Sequence, residues 1–221
     1  FVAVASSTLV LAGVQTIVAG SEFADSPGCE AITGNLVHNC GFEGPSALGV
    51  PDQWTVVPAA SGSDFGLFGA HTGDRAFGFG ATGGLDDTVS QVISGTSPNH
   101  AYTLGFWLHT GGSIGTDFTA SVTDSVSAAT LASHSETNPP SGPYRLITMT
   151  FTTGANAPKI SFAGADAPSF FQVDDVAVVP GSVSAPPFPL PTTTTVTVTP
   201  GASPIAHVRV APASTTTNPF I

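Results

Sequence analysis

The sequence predicts an all-β protein, folded as a two-sheet antiparallel sandwich. Three observations carry this. Short strand-like runs follow one another between residues 76 and 178, separated by glycine, proline and small polar residues. Glycine (25 residues) and proline (19) are abundant, as a turn-rich chain requires. No segment of useful length repeats its apolar residues at helical spacing.

Residues 1–20, FVAVASSTLVLAGVQTIVAG, carry no charge. Three readings compete: the remainder of a signal peptide, a membrane-spanning helix, and a strand apolar on both faces. Ser6, Ser7, Thr8, Gln15 and Thr16, with no basic flank, make a poor membrane span, so membrane anchoring is not expected. An exposed apolar strand aggregates unless a partner covers it. That partner is either the chain's own sandwich or a neighbouring subunit that accepts the strand by β-addition. Head-to-tail donation does not close and makes filaments. The candidate assembly strand is therefore Val2, Val4, Leu9, Leu11, Val14, Ile17 and Val18.

Residues 21–34 read as a polar linker that contains Cys29. Residues 35–180 form the patterned block. Its strands are expected at 76–80, 88–93, 101–108, 118–123, 144–151, 159–162 and 170–178, with residues 35–43 as an opening strand. Residues 181–221 are an extension rich in proline, threonine and valine. Its proline part reads as polyproline, and the Thr/Val alternation after Thr195 has strand period.

Four basic residues face fifteen acidic ones, a net charge of −11. Nucleic-acid binding needs a basic footprint, and none exists. Only 9% of the chain is charged, against roughly 25% in an average soluble protein. Its surface must therefore be largely serine, threonine, asparagine and glycine, which suits an extracellular or cell-surface protein. The two cysteines, Cys29 and Cys40, are even in number and close in sequence, and read as one disulfide. Two cysteines without histidines at ligand spacing make a poor zinc site.

Acidic residues sit at both ends of the block: Glu43 in the opening segment, Asp174 and Asp175 in the closing one. Half-buried carboxylates are costly unless paired or bound to a metal. These three are candidates to meet in space on a calcium ion, which prefers carboxylate and carbonyl oxygens. The alternative is that they cap turns and pair with Arg75 or Arg145. Neighbours in a strand face opposite ways, so one of Asp174 and Asp175 is expected to point inward.

The block resembles the galactose-binding-like jelly rolls, the carbohydrate-binding-module type found in many secreted proteins. The matching residues are Asn35 to Glu43 (the pattern NL-x-x-N-x-x-FE), Trp54, His71 to Ala76, Ser90-Gln91, Tyr102 to Trp107, Tyr144 to Phe151, and Val173 to Val176 (x-x-DDV). Cys40 departs from the pattern, where glycine is usual. The resemblance implies a jelly-roll sandwich and a structural calcium. Its ligands would be Glu43, Asp174 or Asp175, and the turn around residues 72–74, with Asp74 among the candidates.

The aromatic residues Trp54, Tyr102, Trp107 and Tyr144 fall on motif positions that are usually core or core-edge. That leaves Phe65, Phe68, His71, His109 and Phe170 as candidate loop contacts for a ligand. Asp86, Asp87, Glu136 and six histidines could supply catalytic groups, but no catalytic motif frames them, and no enzyme is expected. The leading expectation is an extracellular structural subunit. It would polymerise by donor-strand complementation into a filament, pilus-like fibre or surface layer, with itself as partner. The alternative is a secreted or surface-anchored carbohydrate-binding module with a polysaccharide partner.

Overall fold

The computed structural model describes residues 15–18, 28–44, 46–47, 50–59, 65–81, 85–188 and 195–198. The chain divides into two compact units, Phe23–Leu190 and the pair Phe1–Glu22 with Pro191–Ile221. In chain order the elements are β1 (Gln15–Val18), a 3-10 turn (Cys29–Ala31), β2 (Ser46–Ala47), β3 (Val50–Pro51), β4 (Thr55–Val57), β5 (Phe65–Phe68), β6 (Ala76–Phe79), β7 (Asp87–Val92), β8 (Ala101–Thr110), β9 (Asp117–Asp124), β10 (Thr130–Thr137), β11 (Gly142–Thr152), β12 (Pro158–Ala165), β13 (Phe171–Pro180) and β14 (Thr195–Val198). Among the described residues there is no α-helix, and none long and apolar enough to cross a membrane.

The larger unit is a sandwich of two five-stranded antiparallel sheets. One has the order β10-β9-β12-β7-β4, the other β11-β8-β13-β6-β5; β2 and β3 form a small separate ribbon. The seams between strands follow the sequence alternation. Strand β9 buries Phe118, Ala120 and Val122 and leaves Thr119, Ser121 and Thr123 half-exposed. Strand β8 sends Tyr102, Leu104, Phe106 and Leu108 into the core. Period-two geometry then sends Thr103, Gly105, Trp107 and His109 to the outer face.

Phenylalanine dominates the filling: Phe42, Phe77, Phe79, Phe106, Phe118, Phe162 and Phe171 are all fully buried. Phe106 meets Phe162 edge-on with ring centroids 4.9 Å apart, an arrangement favoured by the ring quadrupoles. The outer face of the β10-β9-β12-β7-β4 sheet is nearly uncharged. Register aligns Thr55, Ser90, Ser161, Ser121 and Ser133 in one hydroxyl row across all five strands.

The opening segment differs from expectation. Residues 35–43 form turns rather than a strand, with Asn39 at φ 47° and Phe42 at φ 60°. Side chains do the joining instead. Asn35 Oδ1 accepts the Val178 N–H (3.0 Å), and Asn35 Nδ2 donates to the Val176 carbonyl (3.2 Å). The Leu36 N–H donates to the Val178 carbonyl and the Val176 N–H to that of Cys40, each at 3.0 Å. Cys29 and Cys40 form the expected disulfide, fully or nearly fully buried.

Strand β10 was not anticipated from its polar sequence TLASHSET. It is a sheet edge, alternately half-buried and exposed. Beyond β13, residues 181–188 fold back over the outer face of β8. The Gly181 N–H donates to the Ala101 carbonyl (2.8 Å), and Thr103 Oγ1 donates to the carbonyl of Gly181 (2.8 Å) while accepting the Val183 N–H (3.0 Å).

In the other unit, β1 pairs antiparallel with β14, Gln15 opposite Val198 and Val18 opposite Thr195. Ile17 and Val18 of the candidate assembly strand lie in β1. Val2, Val4, Leu9, Leu11 and Val14 lie outside the described residues.

Candidate functional site

The acidic residues from the two ends of the block gather around one turn, residues 71–75. Glu43 Oε1 accepts the N–H groups of Asp74 and Arg75, each at 2.7 Å. Asp174 Oδ2 accepts those of His71 (2.7 Å) and Thr72 (3.1 Å), and its Oδ1 accepts the Asp175 N–H at 2.7 Å. Asp175 Oδ1 takes the Cys29 N–H (2.9 Å) and the Thr72 hydroxyl (2.8 Å); its Oδ2 meets His71 Nδ1 at 2.7 Å. Gly73 sits in the centre at φ +66°, and a Cβ there would strike the Glu43 carboxylate.

Here strict strand alternation fails. The β13–β8 register shifts between Asp174 and Ala177, and Asp175 adopts φ 47°. This bulge turns two consecutive carboxylates onto the same turn, where alternation would have admitted one. Both are fully buried. Burial, then the neighbouring Asp175 charge, pushes the Asp174 carboxyl well above its ordinary range, against the pull of three N–H groups. Asp74 is exposed and reaches Glu43 through its backbone N–H.

Beside this turn lies a cluster of rings on the outer face of β8 and β11. The His71 ring stacks on Trp107, centroids 3.9 Å apart and planes 16° from parallel. Tyr144 approaches His71 (5.4 Å) and His109 (5.5 Å), and its hydroxyl donates to the Gly69 carbonyl at 3.0 Å. Gln172 is opposite His109 in the β13–β8 register. Two polar atoms here, Trp107 Nε1 and His109 Nδ1, are buried without a hydrogen-bond partner in the protein. Burial lowers the His109 imidazole below its ordinary range, with Asp166 pulling the other way, so it is uncharged at neutral pH. Tyr144 is held protonated by burial and by the charges of Asp174 and Asp175.

Of the five residues expected to contact a ligand, the structure brings His71 and His109 to this cluster. Phe170 is half-buried at the entry to β13. Phe65 and Phe68 lie in strand β5 rather than a loop; only their backbone pairing with Phe79 and Ala76 is described. Trp54 and Tyr102 are core residues, but Trp107 and Tyr144 are outer-face members of the cluster. The signal was present: Trp107 is out of phase with Leu104, Phe106 and Leu108. Uncharged rings, a neutral imidazole and an amide suit a neutral, hydroxyl-bearing ligand.

No family model and no curated protein matches the sequence. Among solved structures, TmCBM61 in complex with β-1,4-galactotriose aligns over 66% of this chain and 99% of its own, at 20% identity and TM-score 0.50. The enzymatically active domain of bacteriophage CBA120 tailspike protein 4 aligns at 15% identity and TM-score 0.50; the match covers 66% of this chain and 21% of that one. The C-terminal family 22 carbohydrate-binding module of Clostridium thermocellum Xyn10B aligns at 18% identity and TM-score 0.48, over 68% of this chain and 96% of its own. At these identities the likeness is one of fold, a carbohydrate-binding-module-type jelly roll. The expected filament subunit is corrected accordingly. The fold aligns with that of a carbohydrate-binding module, and the described part of the would-be donor strand pairs with the chain's own β14.

Proposed function

We propose that this chain is a secreted or surface-displayed carbohydrate-binding module without catalytic activity. Its ligand is a neutral glycan, taken at the ring cluster of His71, Trp107, His109, Tyr144 and Gln172. The observation that carries the proposal is this ring cluster on the outer face of a jelly-roll sheet, with two buried polar atoms, Trp107 Nε1 and His109 Nδ1, that have no partner in the protein. A neutral imidazole and a side-chain amide can each donate and accept toward sugar hydroxyls. The test is retention on a panel of neutral polysaccharides, including β-1,4-galactan and xylan, followed by calorimetry. The double change His109→Ala and Gln172→Ala should weaken binding about tenfold or more, on the order of two lost hydrogen bonds, with an unchanged melting temperature. A native protein retained by none of them would reject the reading.

A structural calcium is part of the same proposal. Two adjacent, fully buried carboxylates concentrate negative charge that needs a proton or a cation, and Glu43 grips the same 71–75 turn. In charge and oxygen chemistry the residues fit a hard cation. Glu43, Asp174 and Asp175 would hold it, with the carbonyls of the 72–74 turn. Bound there, calcium would supply the positive charge that lets both aspartates stay ionised.

A further inference from the structure

The outer face of the β11-β8-β13 sheet is partly occupied by the chain itself. Residues 181–188 lie lengthwise along β8: Gly181 bonds at Ala101, Val183 at Thr103, Pro186 sits over Gly105 and Phe188 stands against Trp107. Gly105 is what lets the strap lie so close. A Cβ there would come within 2.6 Å of Pro186 Cγ and 3.1 Å of Phe188 Cε2. Pro186 is buried, and Thr103, an outward-facing residue, is 0% exposed beneath the strap. A bare sheet face of this kind would be a long trough; here its middle is filled.

The ring cluster is thereby walled. Phe188 meets the Trp107 ring edge-on at 6.2 Å and closes the side toward Gly105. The 71–72 turn closes the side above β13, because His71 stacks flat on Trp107 and is pinned by Asp175. Tyr144, touching both histidines, stands on the β11 side. His109 and Gln172, opposite each other in the β13–β8 register, carry the cluster on beyond the strap.

We infer that this ring cluster takes the end of a glycan chain and not an internal stretch, with the strap of residues 181–188 as its back wall. The inference rests on the carbohydrate-binding reading above. A polymer running along β8 would collide with Pro186 and Phe188, and one running across the sheet would collide with the 71–72 turn. A chain end meets neither.

The experiment uses the full chain and β-1,4-galactan or xylan, whichever it retains. Binding capacity per mass of polymer is measured before and after partial endo-hydrolysis. Capacity should rise in proportion to the number of chain ends. In the full-length double variant Pro186→Ala/Phe188→Ala, checked for native melting, affinity for the uncut polymer should rise. Capacity that does not change on cutting, with affinity climbing as oligosaccharides lengthen, would overturn the inference and leave the carbohydrate-binding reading standing. Failure of the native chain to bind any polysaccharide, cut or uncut, would overturn that reading and the inference with it. The native-chain measurement decides even if the double variant does not fold.

Discussion

Asp124 closes the turn between β9 and β10 with a single carboxylate. Its Oδ1 accepts the N–H groups of Ser127 (2.8 Å) and Val126 (3.0 Å), and the Asn156 amide donates to both oxygens. The Ser127 N–H, the largest contribution, acts against partial burial. With Val126 and Asn156 it holds the carboxyl down at about 2. An unfolded aspartate titrates at about 3.9. The folded value is the lower one, so the contribution is present above about pH 4 and is lost as pH falls toward about 2. Asp124→Asn should therefore lower stability at neutral pH and flatten the acid limb of a melting-temperature profile over that window. A variant profile parallel to the native one would reject this role.

At the same scale, the acids around the 71–75 turn show what a sequence carries and what it hides. Their types and positions at the two ends of the block are plain. The bulge at Asp175 is not, because a positive φ on an aspartate leaves no mark in the pattern. Alternation therefore points to one inward carboxylate where the fold supplies two.

The strands read well where apolar residues alternate, as in β8, β9 and β12. Strand β10 escapes because an edge strand of Ser, Thr, His and Glu has no apolar face to reveal it. The 71–75 turn is the element on which the site depends, and Gly73 is its tightest point. Gly73→Ala imposes both a strained φ and a clash with Glu43, and should cost about 1–3 kcal/mol. Gly115→Ala is the control: its φ is +77° but nothing lies within 4 Å of the added Cβ, so backbone strain alone remains. Urea denaturation of the two variants should separate them, and equal losses would show that the Glu43 contact matters little.

For the whole molecule, composition announced an all-β, weakly charged chain, and the hydroxyl row across the β10-β9-β12-β7-β4 sheet is that composition made visible. The uncharged N-terminal residues, read as a strand, need a partner, and the sequence leaves open whether that is the chain itself or a neighbour. Pairing of β1 with β14 within one chain is a solution that sequence pattern cannot distinguish from pairing between chains. The calcium proposal also belongs here, since the ion would join segments from both ends of the sandwich. An ion that binds only the folded protein stabilises it by about 2.7 kcal/mol at a hundredfold excess over Kd. Chelation with EDTA should lower the melting temperature and added calcium should restore it. An unchanged melting curve, with no calcium found by elemental analysis, would remove the ion from the proposal.

The disulfide also decides how the sandwich would carry a mechanical load. The opening and closing segments run antiparallel, with Leu36 bonded to Val178 and Cys40 to Val176. Tension between a tether on each end would otherwise peel that pair open from the Leu36 side, one hydrogen bond at a time. The Cys29–Cys40 link carries an incoming pull past residues 30–39 and delivers it at Cys40. There the neighbouring chain is anchored by buried Phe42 and by Glu43 gripping the 71–75 turn. A pull that arrives at Cys29 therefore skips the Leu36–Val178 bond and is delivered to the core at Cys40.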